Sequence, residues 1–174
     1  MGAQPIMYED PSSDVTVRLF RPGDEADFRR LNEAWIAKYF GIEAKDQETF
    51  ADPQHKIIQP GGQIFFAILD GVAVGTVGLL RMPGEVSSYE LIKMATDENH
   101  QRRGIARAVV NAAIRWARQR KACRLYLETN SSLTPAITLY ESVGFKHIPP
   151  QATPYKRADV FMEMWLEPEW AKYI

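Results

Sequence analysis

The sequence predicts an α/β (α+β) fold: a mixed, mostly antiparallel central sheet of about seven strands with four flanking helices. Two observations favour this class. In the first half of the chain, two strand-like runs, 64–69 and 72–80, flank Asp70-Gly71, which is a strong hairpin signal. Further on, residues 89–129 show a strand–helix–strand pattern. Because hairpin strands pair antiparallel and a helical crossover joins parallel strands, the two patterns together indicate a mixed sheet covered by helices.

The elements before the hairpin follow from periodicity and turn residues. Residues 16–19 alternate as a short strand, and Pro22-Gly23 separates them from Asp24, a residue type that caps helices. The helix that follows carries an apolar face made by Phe28, Leu31, Trp35 and Tyr39. Residues 45–58 are predicted to form a second, weaker helix that breaks near Asp52-Pro53.

The elements after the hairpin begin with a strand over 89–96 and a helix from about 104 to 120. One apolar stripe marks that helix: Ile105, Val109, Ala112, Ala113, Trp116 and Ala117. Residues 124–129 form the next strand. Thr134-Pro135 offers an N-cap and a first-turn proline for the last helix, which Gly144 ends. Residues 145–148 and 160–166 are the final strands, giving the order β-α-α-β-β-β-α-β-α-β-β.

The domain organisation follows from length and patterning. The 174 residues fit one domain, predicted over 14–168, with a loose N-terminal arm over 1–13 and a C-terminal tail over 169–174. Hydrophobic residues make up 45% and charged residues 25%, which argues against disorder. A net charge of −1 disfavours nucleic acid as the main partner.

The expected setting is the cytoplasm, with no membrane contact. The N-terminal residues lack the basic and apolar regions of a signal peptide, and the single Cys123 excludes an intramolecular disulfide and a Cys-rich metal site. The three histidines are scattered, without paired spacing, so we expect no metal. A homodimer is left open.

The segment that carries most of the chemistry runs from the strand over 91–96 into the helix that starts near Gly104. Free N–H groups and the positive end of a helix dipole form an anion site there, suited to a phosphate or pyrophosphate. Gly104 permits close approach of a ligand to the backbone, and Arg102 and Arg103 add cationic donors. The dinucleotide-binding and P-loop glycine patterns are absent. A structural tight turn is the alternative interpretation.

Two motifs give this sequence a family resemblance over roughly residues 15–166. The segment 101–106, Gln-Arg-Arg-Gly-Ile-Ala, resembles the Gln/Arg-x-x-Gly-x-Gly/Ala motif of the GNAT superfamily of acetyl-CoA-dependent N-acyltransferases. The segments 127–130, 135–141 and 144–145 resemble the second motif region of that superfamily. Two departures are Ala106, where many members have Gly, and Leu133, where many members have Asn; here Asn130 lies earlier.

The resemblance implies a GNAT-like fold and acetyl-CoA as co-substrate. The strand before the phosphate loop is expected to diverge from its neighbour, so that backbone groups of Met94, Ala95 and Thr96 pair with the pantetheine arm. The remaining cofactor-binding residues implied by the resemblance are Gln101, Arg102, Arg103, Gly104, Ile105, Ala106, Arg107 and Asn130. The pyrophosphate is expected on the amides from Arg102 to Arg107.

The resemblance also implies a general acid, Tyr140, which stands where the family commonly has a tyrosine facing the thioester sulfur. A buried core aromatic is the alternative interpretation. The acceptor amine must lose a proton, and Glu90 and Glu128 are the best carboxylates for a general base. Strand alternation places Glu90 on the face of Ile92 and Met94. Each carboxylate is alternatively a surface or ion-pair residue, and a water chain is an alternative to both.

The expected acceptor is a primary amine of a small molecule, amino acid or peptide. Trp35, Tyr39 and Phe40 are candidates for one wall of its groove, or for a core stripe. Tyr155 and Arg157, with Lys156 between them, lie where a loop often covers the acceptor in this family, and the cations are suited to a substrate carboxylate or to solvent. The alternative function is a non-catalytic acyl-CoA-binding regulatory module.

Overall fold

The computed structural model describes residues 6–11, 13–85 and 87–166. The strands are β1 Met7–Glu9, β2 Thr16–Leu19, β3 Gln63–Leu69, β4 Val72–Arg81, β5 Ser88–Thr96, β6 Arg124–Thr129, β7 Lys146–Ile148 and β8 Val160–Trp165. The α-helices are α1 Glu25–Tyr39, α2 Ala44–Ala51, α3 Ile105–Gln119 and α4 Thr134–Val143. A π-helical turn, Gln54–Ile58, follows α2, and a 3-10 turn, Glu98–His100, precedes α3. The predicted class and the four α-helices are confirmed.

The sheet has eight strands in the order β1-β2-β3-β4-β5-β6-β8-β7. Among the described strands, β5–β6 is the one parallel pair, and every other neighbouring pair is antiparallel. The strand beyond the expected seven is β1, which lies in the segment predicted as a loose arm and pairs with β2. Met7–Glu9 is therefore ordered, because the edge of β2 offers its backbone groups partners. The boundaries of the 14–168 domain stay a prediction, and the predicted tail lies outside the described residues.

Local turn chemistry confirms the hairpin and corrects one cap. Asp70 and Gly71 have φ values of 50° and 77°, as a type I′ turn requires. Helix α4 begins at Thr134 itself, so Leu133 and not Thr134 is its N-cap residue, with proline in the first turn and Gly144 at the C-terminus as predicted.

The hydrophobic core consists of two clusters, which divide the helices between them. One cluster joins the sheet to α3 and α4 and contains Trp116, Leu127 and Tyr140. The other joins it to α1 and α2 and contains Phe28 and Phe50. The sheet is thus a central layer whose side chains alternate between the two clusters. This arrangement fixes the positions of α3 and α4 beside the one parallel strand pair.

Strands β5 and β6 diverge after a short paired segment. Their register runs from Ser88–Arg124 to Leu91–Leu127 and stops there, although both strands continue. On its other side, β5 carries a bulge, since Lys93 and Met94 together lie opposite Val77 of β4. Lys93 has a φ of 53°, unusual for a residue with a side chain. The divergence leaves backbone groups of β5 facing an opening in the middle of the sheet.

Candidate active site

The opening between β5 and β6 is a cleft bounded by both helical layers. Its lining comes from α1, β5, β6, α4 and the loop between β7 and β8. The residues with functional chemistry along it are Trp35, Phe40, Glu90, Lys93, Met94, Glu128, Asn130, Tyr140, Tyr155 and Arg157. Most candidate residues for catalysis and acceptor binding therefore come together in one place. Tyr39 does not: it is 47% exposed and packs on Trp35 with ring centroids 5.1 Å apart.

The predicted phosphate loop connects β5 to α3. Gly104 is the N-cap residue of α3, with φ of 69°, and Arg102 also has a left-handed backbone, φ 63°. The amides of Ile105, Ala106 and Arg107 lie in the first turn of the helix, where backbone donors have no intrahelical partner. Gln101, Arg102 and Arg103 are exposed beside them. The segment thus offers several donors and positive charge to an anion.

Replacing Gly104 with valine is expected to weaken acetyl-CoA binding roughly ten- to one-hundred-fold. The added side chain would keep the pyrophosphate from approaching the backbone closely, and the expected loss is that of one charge-assisted hydrogen bond. An added Cβ at Gly104 meets no protein atom within 4 Å, so its effect on the protein comes only from the strained φ. Gly71 is a matched control, since its φ is 77° and its added Cβ also meets nothing within 4 Å. Calorimetry should find the affinity of Gly71→Val unchanged; equal losses in both variants would contradict the phosphate-loop assignment.

Tyr140 reaches the cleft from α4. Its ring is 5% exposed, and its hydroxyl donates to the Sδ of Met94 at 3.6 Å, a weak acceptor, rather than to a backbone carbonyl. Burial raises the pKa of Tyr140, so the phenol keeps its proton at neutral pH. A phenol directed at β5, with only a thioether as partner, has its proton available to a base placed in the cleft.

The bulge in β5 corrects the predicted placement of Met94. Simple alternation puts Met94 on the face of Glu90 and Ile92, but Met94 packs with the cluster of α3 and α4, whereas Ile92 packs with that of α1 and α2. The extra residue of the bulge reverses the alternation after Ile92. As a result Met94 faces Tyr140, and the side chain of Lys93 turns toward Asp46 of α2.

Glu90 lies where β5 and β6 are still paired, opposite Tyr126. Among the described residues, its carboxylate has no hydrogen bond or ion pair. Burial, together with the nearby charge of Glu128, raises the pKa of Glu90 to about 7, and Lys93 and Lys45 oppose that shift. A carboxylate with a pKa close to the working pH is well matched to accept a proton from an ammonium group.

Glu128, the other candidate base, has its two oxygens engaged by neutral donors. Tyr126 Oη donates to Oε1 at 3.0 Å, and Thr153 Oγ1 donates to Oε2 at 2.6 Å. These two bonds fix the orientation of the carboxylate at the end of β6 and occupy both of its oxygens. Glu128 is therefore the less suitable base, and Glu90 is the better candidate of the two.

Arg157 is held in ion pairs within the protein. Its guanidinium donates to Asp46 at 2.8 and 2.9 Å and to Glu43 at 2.9 Å, so its fork is already occupied within the protein. Lys93 donates to the same Asp46 and, at 2.9 Å, to Tyr155 Oη. No sequence pattern indicates this cluster of Asp46, Lys93 and Arg157, because its members come from α2, β5 and the loop before β8.

The remaining candidates form the walls of the cleft. Trp35 and Phe40 line it from the end of α1, and Tyr155 lines it from the opposite loop. Lys156 is exposed, and its backbone N–H donates to Glu43. Asn130 donates to the carbonyl of Arg157 at 2.6 Å and accepts from Ser132, so its side chain joins two loops of the protein. Its predicted contact with the cofactor stays a prediction.

The described ranges contain no group of three or more His, Cys, Asp or Glu side chains arranged to hold a metal ion. Within the same ranges, no helix combines the length and apolar character needed to cross a membrane.

Comparison with known proteins identifies the class. The model of the acetyltransferase (GNAT) family matches residues 28–145, which include the phosphate loop, Glu90 and Tyr140. The chain therefore belongs to the GNAT family, and it is an N-acetyltransferase. An uncharacterized N-acetyltransferase of Escherichia coli, YjgM, is 32% identical over 144 residues, covering 79% of this chain and 85% of that protein.

Further relatives support the same class. N-acetylaspartate synthetase of Xenopus tropicalis is 35% identical over 95 residues, covering 55% of this chain and 35% of that protein. A GNAT acetyltransferase structure from Staphylococcus aureus superposes with a TM-score of 0.78 at 20% identity, covering 88% of this chain and 99% of that one. YncA of Salmonella typhimurium, solved with its cofactor acetyl-CoA, has a TM-score of 0.71 at 18% identity, covering 90% of this chain and 96% of that one. The two superpositions confirm the predicted fold.

Proposed function

We propose that this protein transfers an acetyl group from acetyl-CoA directly to a primary amine, in the cleft between β5 and β6. The observation that carries the proposal is that two groups line this cleft together. One is Glu90, whose pKa is about 7, and the other is Tyr140, whose hydroxyl is directed at Met94 of β5. One can accept a proton and the other can donate one. The first amides of α3 and its flanking arginines supply the donors for the pyrophosphate.

The proposed reaction has three proton transfers and no covalent enzyme intermediate. Glu90 takes a proton from the ammonium form of the acceptor, which gives the nitrogen a lone pair. The nitrogen attacks the thioester carbonyl carbon, a C–N bond forms, the C–S bond breaks, and the nitrogen, which is cationic after the attack, releases its second proton to solvent. Tyr140 gives its proton to the leaving thiolate, and solvent restores the proton of Tyr140 and takes the proton held by Glu90. Backbone groups of Met94, Ala95 and Thr96 are proposed to hold the pantetheine arm in line with Glu90.

Two measurements on the whole chain test this function. Calorimetric titration reports acetyl-CoA binding, and release of free thiol with a panel of primary amines reports transfer. We expect both binding and amine-dependent thiol release. Binding without thiol release would instead support the acyl-CoA-binding module. The cytoplasm stays the proposed compartment.

Replacing Tyr140 with phenylalanine is expected to lower kcat by about 10²- to 10⁴-fold, the range for a positioned general acid, with little change in acetyl-CoA affinity. The substitution removes one oxygen atom whose partner in the protein is a thioether, so the fold should persist. Tyr8→Phe is the matched control, since Tyr8 is also buried and its hydroxyl donates to Gln119, outside the cleft. A kcat equal to that of the wild type in Tyr140→Phe would make Tyr140 a core aromatic only.

A further inference from the structure

The cations of the cleft are neutralised within the protein. Lys93 and Arg157 both bind Asp46, which is fully buried, and Arg157 also binds Glu43. Two positive side chains therefore face two negative ones, and the carboxylates of Asp46 and Glu43 lie outside the lining of the cleft. These ion pairs neutralise the charges of Lys93 and Arg157, so both cations attract a bound anion less strongly.

The two carboxylates that line the cleft have no such partner. Among the described residues, Glu90 has no ion pair, and Glu128 accepts only from the neutral hydroxyls of Tyr126 and Thr153. When Glu90 has taken the proton of the reacting ammonium it becomes neutral. Glu128 then stays in a fixed orientation, and among the described residues no cationic side chain donates a hydrogen bond to it.

Aromatic rings line the same cleft as the two carboxylates. Trp35 and Phe40 line it from one wall and Tyr155 from the other. Tyr155 already has two cations over its ring, with Lys93 Nζ at 4.6 Å and the Arg157 guanidinium at 4.7 Å from the centroid. Trp35 contacts the rings of Tyr39 and Phe40 and packs against the cluster of α1 and α2, and among the described residues no cation lies over its ring. An aromatic face of this kind attracts a cation. Carboxylates and aromatic faces together select positive charge.

We propose that the acceptor is a primary aliphatic amine that carries a second cationic group, in its simplest form a diamine, and that Glu128 binds the second group. This proposal rests on the proposed acetyl transfer. An acceptor with a carboxylate near its amine would meet two carboxylates and no free guanidinium, so like charges oppose its binding. The attraction of Arg157 for such a carboxylate is reduced, because Asp46 and Glu43 already accept from its guanidinium.

Three amines with the same carbon chain provide the test: 1,4-diaminobutane, butylamine and 4-aminobutanoate. Each is assayed by thiol release with the wild type at about pH 8, where a second alkylammonium is still charged. We expect kcat/KM to be roughly ten- to one-hundred-fold higher for the diamine than for butylamine, the contribution of one charge-assisted bond, and lowest for 4-aminobutanoate. In Glu128→Gln the ratio of diamine to butylamine should fall toward one.

The outcomes separate the two proposals. A diamine preference that Glu128→Gln abolishes supports the assignment. If amines react but the diamine shows no advantage, if 4-aminobutanoate reacts best, or if the preference survives in Glu128→Gln, the acceptor class is wrong while acetyl transfer stands. If acetyl-CoA binds and no amine releases thiol, the proposed function fails and the acceptor class fails with it.

Discussion

Glu90→Gln should lower kcat by about 10²- to 10⁴-fold, the contribution of a positioned general base, and should raise the melting temperature above pH 7. The two effects have one cause. In the wild type, burial and the charge of Glu128 both oppose ionisation of Glu90, so the ionised carboxylate proposed as the base is held at a cost in stability. A neutral amide of the same size removes that cost and the basicity together. Steady-state kinetics and thermal unfolding of the same samples check both effects, and a lower melting temperature would indicate a structural role instead.

Ionisation of Glu90 should make both the stability and the activity of the protein depend on pH. The folded-state pKa of Glu90, about 7, exceeds its ordinary value of 4.5, so the folded protein binds more protons between those values. Its contribution to stability therefore falls as pH rises from 4.5 to 7, and activity rises over the upper part of that window as the base ionises. Glu90→Gln should lose both dependences.

A second carboxylate provides the matched control for the pH profile. In Glu128→Gln the pKa of Glu90 should fall, because a neighbouring negative charge is gone. The acid limb of kcat/KM should then move to lower pH, while ionisation of the amine itself affects every variant equally. An acid limb that is unchanged in Glu90→Gln would show that the base is another group.

Asp46→Ala is expected to reduce the free energy of unfolding by about 3–5 kcal/mol, the usual cost of breaking a buried ion pair by removing one partner. The carboxylate of Asp46 accepts from Lys93, from Arg157 and from the backbone N–H of Glu43. Without it, the ammonium of Lys93, whose side chain is 6% exposed, keeps only the hydroxyl of Tyr155 as a polar partner. Urea unfolding at pH 7 measures the loss, and Asp46→Asn serves the same purpose if the alanine variant does not fold.

An exposed ion pair gives the comparison. Asp27 contacts Arg30 at 3.0 Å with both side chains nearly half exposed, so Asp27→Ala should cost less than about 1 kcal/mol. Although burial alone would raise the pKa of Asp46, hydrogen bonds from Arg157 and Lys93 lower it to about 2. Its contribution to stability is therefore present above pH 4 and is lost as the pH falls toward 2. If Asp46→Ala and Asp27→Ala reduced the free energy of unfolding equally, the buried cluster would not be what holds α2 to β5.

Most of the fold was predictable because its signals are local. Asp70-Gly71 specifies a turn with positive φ at both central residues, and the apolar stripe of α3 has the helical period. Strand β1 has three residues and no alternation long enough to read. Its order comes from pairing with β2, a contact that only the folded chain provides.

In the candidate site too, features formed by residues adjacent in the sequence were predictable, and features formed by distant residues were not. The connection from β5 through Gly104 into α3 was predictable, since strand, glycine and helix start are adjacent in the sequence. The bulge at Lys93 was not, because it depends on the register of β5 against β4, and it reverses the predicted face of Met94. The partners of Arg157 lie 111 and 114 residues away in the chain, so the sequence alone suggested a free cation where the fold has a neutralised one.

Direct transfer in the cleft between β5 and β6 is the central claim, and the stoichiometry of a single turnover tests it most directly. Excess enzyme is mixed with acetyl-CoA labelled in its acetyl group and with 1,4-diaminobutane, and thiol, acetylated amine and intact enzyme mass are followed together. We expect one acetylated amine for each thiol released, with no enzyme species carrying an added acetyl group at any time. Thiol release that precedes amine acetylation, accompanied by an acetylated enzyme, would contradict the account.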